Sequence, residues 1–321
     1  MEEDKFKAVF YDRLEWIDKV LHGEGVPVYG RPLKASFLFL NACVKEVSIG
    51  TKEDFVKHEA FSILVGHAQN WYEQKYGSLA NKKNKQKLSG LAKFLNEYVL
   101  LEIPTTLSKV EVPNETAWLI FPNEMHHQEF FTSFYDGELP LNKLSTDELA
   151  DFQTLIKHSV NCSRKISLNL NLASMLSDEG YAMRNTIWTH VETAITNILT
   201  QELDKCSAAG WELFLAIEKM LKIYLSQFDV FKNTHDIEAL VRAAKNVGLD
   251  INYDNIKKSL LEYTYHDFIK MRYAELKIDH NQAYCLYKNT LDVLLLISEN
   301  IKREFEMNNA AFLIKKAPWA R

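Results

Sequence analysis

The hydrophobic positions of this chain recur mostly at three- and four-residue steps, the period of helices with one buried face. Phe6, Val9, Phe10, Leu14, Ile17 and Leu21 predict a first helix over about 5–21. The stretch His22–Pro32 packs three glycines and two prolines into eleven positions and breaks it. A second long helix is expected over 52–76, with Val56, Ala60, Ile63, His67 and Trp71 on one face. A third is expected over 88–99, from the stripe Leu88, Leu91, Ala92, Leu95, Tyr98 and Val99.

The pattern changes near Pro104. Residues 105–121, rich in β-branched and aromatic side chains around Pro113-Asn114, predict two short strands. The alternation Ile166, Leu168, Leu170, Leu172 fits either a strand or the start of a helix. From Arg184 onward the pattern is helical, with helices expected over 186–204, 208–228, from 234, over 253–271 and over 281–307. Thr234 is suited to cap its helix, and Gly248 to end it in the left-handed conformation. The expected fold is therefore mainly α. A helical region over 1–180 carries a small α+β or irregular insert with short strands at about 104–180, and a second helical domain with a C-terminal tail covers 181–321. The tail holds an apolar patch, basic residues and Trp319, and reads as a frayed end or a docking strip. No repeat of solenoid period occurs.

Composition adds little: 321 residues, 47% hydrophobic and 25% charged, describe a globular chain with enough length for one large or two ordinary cores. Charge adds more. The net value of −5 is uneven, because residues 101–200 hold 6 basic and 13 acidic side chains while 201–321 hold 17 of each. No broad cationic face is expected, so duplex DNA is not an expected partner. The one basic run, Asn81–Lys87, reads as a solvated loop or as a local contact for a polyanion. The cysteines Cys43, Cys162, Cys206 and Cys285 are too widely spaced for a zinc knuckle or a redox pair. Scattered thiols, an acidic N-terminus and the lack of a long apolar run lead us to expect a cytoplasmic protein without a membrane span.

The C-terminal motifs are more specific. Ala216-x-Glu218-Lys219-x-Leu221-Lys222 is followed by Thr234-His235-Asp236-Ile237, then by Met271-Arg272-Tyr273 before a last long helix. Over about residues 204–305 this resembles the HEPN family (higher eukaryotes and prokaryotes nucleotide-binding). The resemblance implies an up-and-down helical bundle, frequently dimeric, that binds nucleotide or RNA or serves as a partner module. On that reading Lys219, Lys222, Thr234, His235 and Arg272 are the ligand-binding candidates. The plainer alternative has His235 closing a helix start against its neighbour while the lysines face water. Ribonuclease members of the family carry an arginine followed after four to six residues by a histidine. Arg184 and His190 have that spacing, although they precede the matching region. A metal-independent endoribonuclease using Arg184 and His190 is thus the alternative to a non-catalytic binding module.

Other chemistry is weakly represented. Glu124–Glu129 gathers two histidines and two glutamates, but adjacent histidines on a helix or strand diverge, and no metal site is assigned. His67 reads as a core histidine. Dinucleotide, P-loop and nucleophile-elbow motifs are missing, so no cofactor is expected.

Overall fold

In the computed structural model the backbone is described for residues 2–48, 50–80, 87–230, 233–307 and 309–315. These residues form eleven α-helices and five strands, so the protein is mainly α. The chain divides into two compact units, residues 1–85 and 86–321. The division expected near residue 180 falls inside a helix of the second unit.

The first unit holds α1 (Glu2–Gly23), α2 (Arg31–Cys43), α3 (Lys52–Lys57) and α4 (Glu59–Tyr76). Phe10, Leu14, Ile17 and Leu21 of α1 are buried as expected. The Gly/Pro stretch ends α1 but also starts a helix the periodicity did not reveal, because Pro32 sits in the first turn of α2, where its missing N–H costs nothing. The expected 52–76 helix is two. His58 has extended backbone, and its ring Nδ1 accepts the Ala60 amide, capping α4 separately. The restart changes the helix phase, so Phe61, Leu64, Ala68, Trp71 and Tyr72 are buried. Ile63 and His67 instead line an open apolar cavity of about 620 Å³ with Phe6, Phe39 and Phe55. Beneath these helices Arg31 donates to Asp18 at 2.9 Å and to the Val26 carbonyl at 2.7 Å, while Tyr76 donates to Asp18 at 2.5 Å.

The second unit opens with a hairpin, β1 (Lys87–Phe94) and β2 (Glu97–Pro104), where a third helix was expected. The helical spacing of its leucines is coincidental. Leu95 turns the chain at φ +55°, and Leu101 and Ile103 pack with Ala92 and Phe94 into one core. Gly90 lets helix α5 approach, since a Cβ there would lie 2.7 Å from Ser159 Oγ. The two expected strands form as β3 (Leu107–Val112) and β4 (Thr116–Ile120). The tail supplies β5 (Ala311–Lys315), which pairs with β4; Trp319 lies outside the described residues. Residues 166–171 belong to α5 (Thr146–Asn171), a 26-residue helix started by a Ser145/Glu148 capping box.

Helices α6 (Asp178–Leu199), α7 (Leu203–Ser226), α8 (Ile237–Asn246), α9 (Tyr253–Ser259), α10 (Tyr265–Arg272) and α11 (His280–Glu299) follow. α7 is the central element, with fifteen of its residues buried, and α6, α8, α10 and α11 pack on it. The expected 253–271 helix is interrupted by Leu261 and Glu262 at positive φ, and Thr264 with Asp267 restarts it as α10. The last helix ends at Glu299, short of the expected 307. Gly248 ends α8 at φ +105°, its amide bonded to the Lys245 carbonyl and that of Leu249 to Ala244, the paired bonds of a left-handed helix stop.

Candidate functional site

The motif residues meet where α6, α7 and the segment before α8 come together. Glu218, on the buried side of α7, is only 3% exposed. A buried carboxylate must be paired, and both partners come from the two sequence motifs, Lys222 and His235. Lys222, one turn along, donates to Oε1 at 2.7 Å, and the His235 ring nitrogen Nδ1 lies 2.9 Å from Oε2. His235 is therefore not in the first turn of α8. Asp236 caps that helix, accepting the Glu238 and Ala239 amides, while Thr234 Oγ1 accepts the Asp236 amide. The expected cap at Thr234 moves two residues because Asp236 reaches two free first-turn donors.

Two further pairs tie α6 to α7. Lys219 donates to Thr186 Oγ1 at 3.0 Å, and His190 Nδ1 lies 2.5 Å from Glu212 Oε2. Burial lowers the Lys219 ammonium below the usual lysine range, with Glu218 and Glu212 opposing that shift. Lys219 does not lie free in water. Lys222 is neutralised by Glu218, so the two lysines are offset by two carboxylates.

Arg184 and His190 have different partners. Six residues along a helix is a rise of about 9 Å. Arg184 Nη1 reaches the Leu170 carbonyl of α5 at 3.5 Å, with its guanidinium 5.2 Å from the Tyr181 ring centre. His190 turns to α7.

The sequence reading missed an aromatic row that joins the remaining candidates. His235 stacks on Tyr265 at 6.0 Å between ring centres, Tyr265 lies 5.7 Å from Phe214, and Phe214 stacks on Trp211 at 5.7 Å. The Arg272 guanidinium lies 5.2 Å from the Trp211 ring and 5.5 Å from that of Tyr273. Tyr265, Arg272, Tyr273 and His235 are exposed, and Trp211 is half-buried. Trp211 and Phe214 stand one turn apart on α7, a signal present in the sequence. Their alignment with Tyr265 and Arg272 depends on how α10 crosses α7.

Elsewhere in the unit, His126 and His127 do not diverge. In a loop their ring centres lie 4.0 Å apart, and burial lowers His126. Glu129 beside them is committed to the buried Arg164, which donates to both its oxygens at 2.6 Å. A separate set, His158 and Cys162 of α5 with Asp292 of α11, brings its donor atoms within 4.8 Å of one another. Hydrogen bonds to Asp292 and Cys162 push His158 up to about 10. Of the basic run, residues 81–86 lie outside the described residues, and Lys87 is paired with Glu102. No described helix is long and apolar enough to cross a membrane.

No family model, no curated protein and no solved structure matches this chain.

Proposed function

We propose that the second unit is a HEPN-like helical bundle acting as a non-catalytic module that binds nucleotide or single-stranded RNA. The observation that carries this reading is the row running from His235 through Tyr265 and Trp211 to Arg272. Exposed His235 and Tyr265 stack at one end and exposed Arg272 lies over half-buried Trp211 at the other, the two ends joined through the buried Phe214. Aromatic rings and a guanidinium are the groups on which unpaired bases stack. Lys219, Lys222 and Thr234 lie behind the His235 end, where a phosphate would need to compete with Glu218 and Glu212 for the two cations. Binding is therefore expected to rest on stacking more than on charge, with a shallow dependence on salt.

The test is fluorescence anisotropy of a short labelled single-stranded RNA with the full chain. Tyr265→Ala and Arg272→Ala are each expected to weaken binding by about 1–3 kcal/mol, roughly 5- to 150-fold. Equal affinity in wild type and both variants, or no binding, overturns the reading.

The endoribonuclease alternative draws support from one contact, the Glu212 carboxylate that orients His190 for proton transfer. Cleavage of the same RNA by wild type, abolished by both Arg184→Ala and His190→Ala, would replace the binding reading with it. Self-association through the C-terminal helices belongs to the same HEPN-like proposal.

A further inference from the structure

His158 and Cys162 are four residues apart on α5 and so share one face of that helix. Opposite them Asp292 projects from α11. The His158 ring nitrogen Nε2 lies 2.7 Å from Asp292 Oδ1 and 3.6 Å from Cys162 Sγ. Both contacts fall on the same nitrogen.

That convergence separates two kinds of chemistry. A thiol–imidazole–carboxylate relay needs the carboxylate on one ring nitrogen and the thiol on the other, so that a proton can pass through the ring. With both on Nε2, a single N–H is shared between two acceptors and nothing is relayed. The same convergence suits a cation, which takes one lone pair from each of three donors. A tetrahedral zinc ion with metal–sulfur and metal–nitrogen bonds of about 2.3 and 2.1 Å sets its sulfur and nitrogen ligands roughly 3.6 Å apart. His158 and Cys162 already have that separation. The carboxylate must retreat by about 0.7 Å to reach the roughly 3.4 Å expected between nitrogen and oxygen ligands. Asp292, with 58% of its side chain exposed, has room to do so.

We propose that His158, Cys162 and Asp292 bind a zinc-class divalent cation that bridges α5 and α11, with solvent in its fourth position. Sulfur, imidazole nitrogen and carboxylate oxygen together favour Zn2+ or Co2+ over the oxygen-seeking Mg2+ and Ca2+. The thiolate and carboxylate balance the two positive charges of the ion, and the ligands bind it through deprotonated donor atoms. Cys162 is buried at 3% exposure and anchors the inner side, while His158 and Asp292 leave the outer side to water. The two helices are held in register beside the site by Ser159 Oγ and Tyr287 Oη, 3.0 Å apart, with the Leu91 amide donating to the same Tyr287 oxygen at 3.1 Å. The ligand geometry therefore does not depend on the ion to bring the helices together.

Co2+ titration of the full chain, freed of metal with a chelator, tests the site. One equivalent should bind with a sulfur-to-cobalt charge-transfer absorption and the intense visible bands of a tetrahedral ion, and added Zn2+ should remove both. Cys162→Ser should abolish the charge-transfer band. Asp292→Asn, at an exposed position where folding is not at risk, should weaken Co2+ binding about tenfold or more. The exposed thiols are removed in a Cys43→Ser, Cys285→Ser control, which should bind as wild type does. No charge-transfer band in wild type, a band that survives Cys162→Ser in folded protein, or unchanged affinity in Asp292→Asn overturns the proposal.

Discussion

Two buried carboxylates, one in each unit, are handled differently, and the difference separates a tie to an enclosed cation from one to a partner that reaches water. Asp18 of α1 is 3% exposed and saturated from inside its unit: Arg31 and Tyr76 donate to it, and Lys75 lies 3.3 Å away. Arg31 is itself buried, with a second bond to the Val26 carbonyl. Glu218 of α7 is as deeply buried, yet one of its two partners, His235, has 56% of its side chain in solvent and stacks on an exposed tyrosine. His235 can rehydrate without leaving the surface, while Arg31, enclosed with Asp18, has nowhere else to go.

The largest consequence is expected at Asp18. Asp18→Ala leaves the Arg31 guanidinium buried without its counter-charge, a defect that costs about 3–5 kcal/mol. Thermal or urea unfolding of the full chain should show it as early loss of the first unit. A loss under about 1 kcal/mol would place Asp18 in the same class as an exposed pair. Glu218→Ala should cost less, about 1–3 kcal/mol, because His235 can rehydrate and only Lys222 is left behind. Equal losses at both positions would erase the distinction drawn between them.

The smallest effect concerns pH and again isolates Asp18. Burial alone would raise its carboxyl, but hydrogen bonds from Tyr76, Arg31 and Lys75 outweigh burial and hold it below the ordinary aspartate value of 3.8. A carboxyl lowered on folding contributes stability that is complete above its unfolded value and is lost as pH falls through the folded one. The contribution should therefore be constant from neutral pH to about 5 and decline below 3.8. The capping carboxylates Asp54, Glu148 and Asp267 are also lowered, each by hydrogen bonds from its own Thr or Ser cap residue, and add to the acid loss. The difference between wild type and Asp18→Asn in an acid unfolding series removes that shared part. An identical acid limb in the two proteins would show that Asp18 titrates alike folded and unfolded.

Legibility in the sequence followed how local the controlling interaction is. The α1 stripe from Phe10 to Leu21, the β3–β4 turn at Asn114 (φ +62°) and the Gly248 stop are each decided within a few residues and formed where expected, whereas Phe6 and Val9 of the expected stripe are exposed. The β1–β2 hairpin was not legible, because leucine and alanine spaced like a helix also satisfy a strand pair whose partners lie across a turn. Nor was α5 read as one helix: its buried side includes Ser159, Ser163 and Asn169, which break the apolar stripe, and Ser159 and Asn169 find their partners only across on α11. At the candidate site the motif residues Glu218, Lys222 and His235 could be chosen from the chain. Their mutual bonds, and the row that continues through Tyr265 and Trp211 to Arg272, join segments up to 61 residues apart.

The sequence by itself determined that the chain is mainly helical, that two strands follow Pro104, and which ionisable motif residues lie on and beside α7. Those properties rest on period, turn residues and composition, which act over one or two turns of chain. Only the tertiary structure decided that Glu218 holds His235, that Arg184 and His190 turn to different helices, and that His158, with Cys162 beside it, meets Asp292 across 134 residues of chain. Donor atoms a few ångströms apart are set by how helices cross, and crossing is fixed by packing of the whole core.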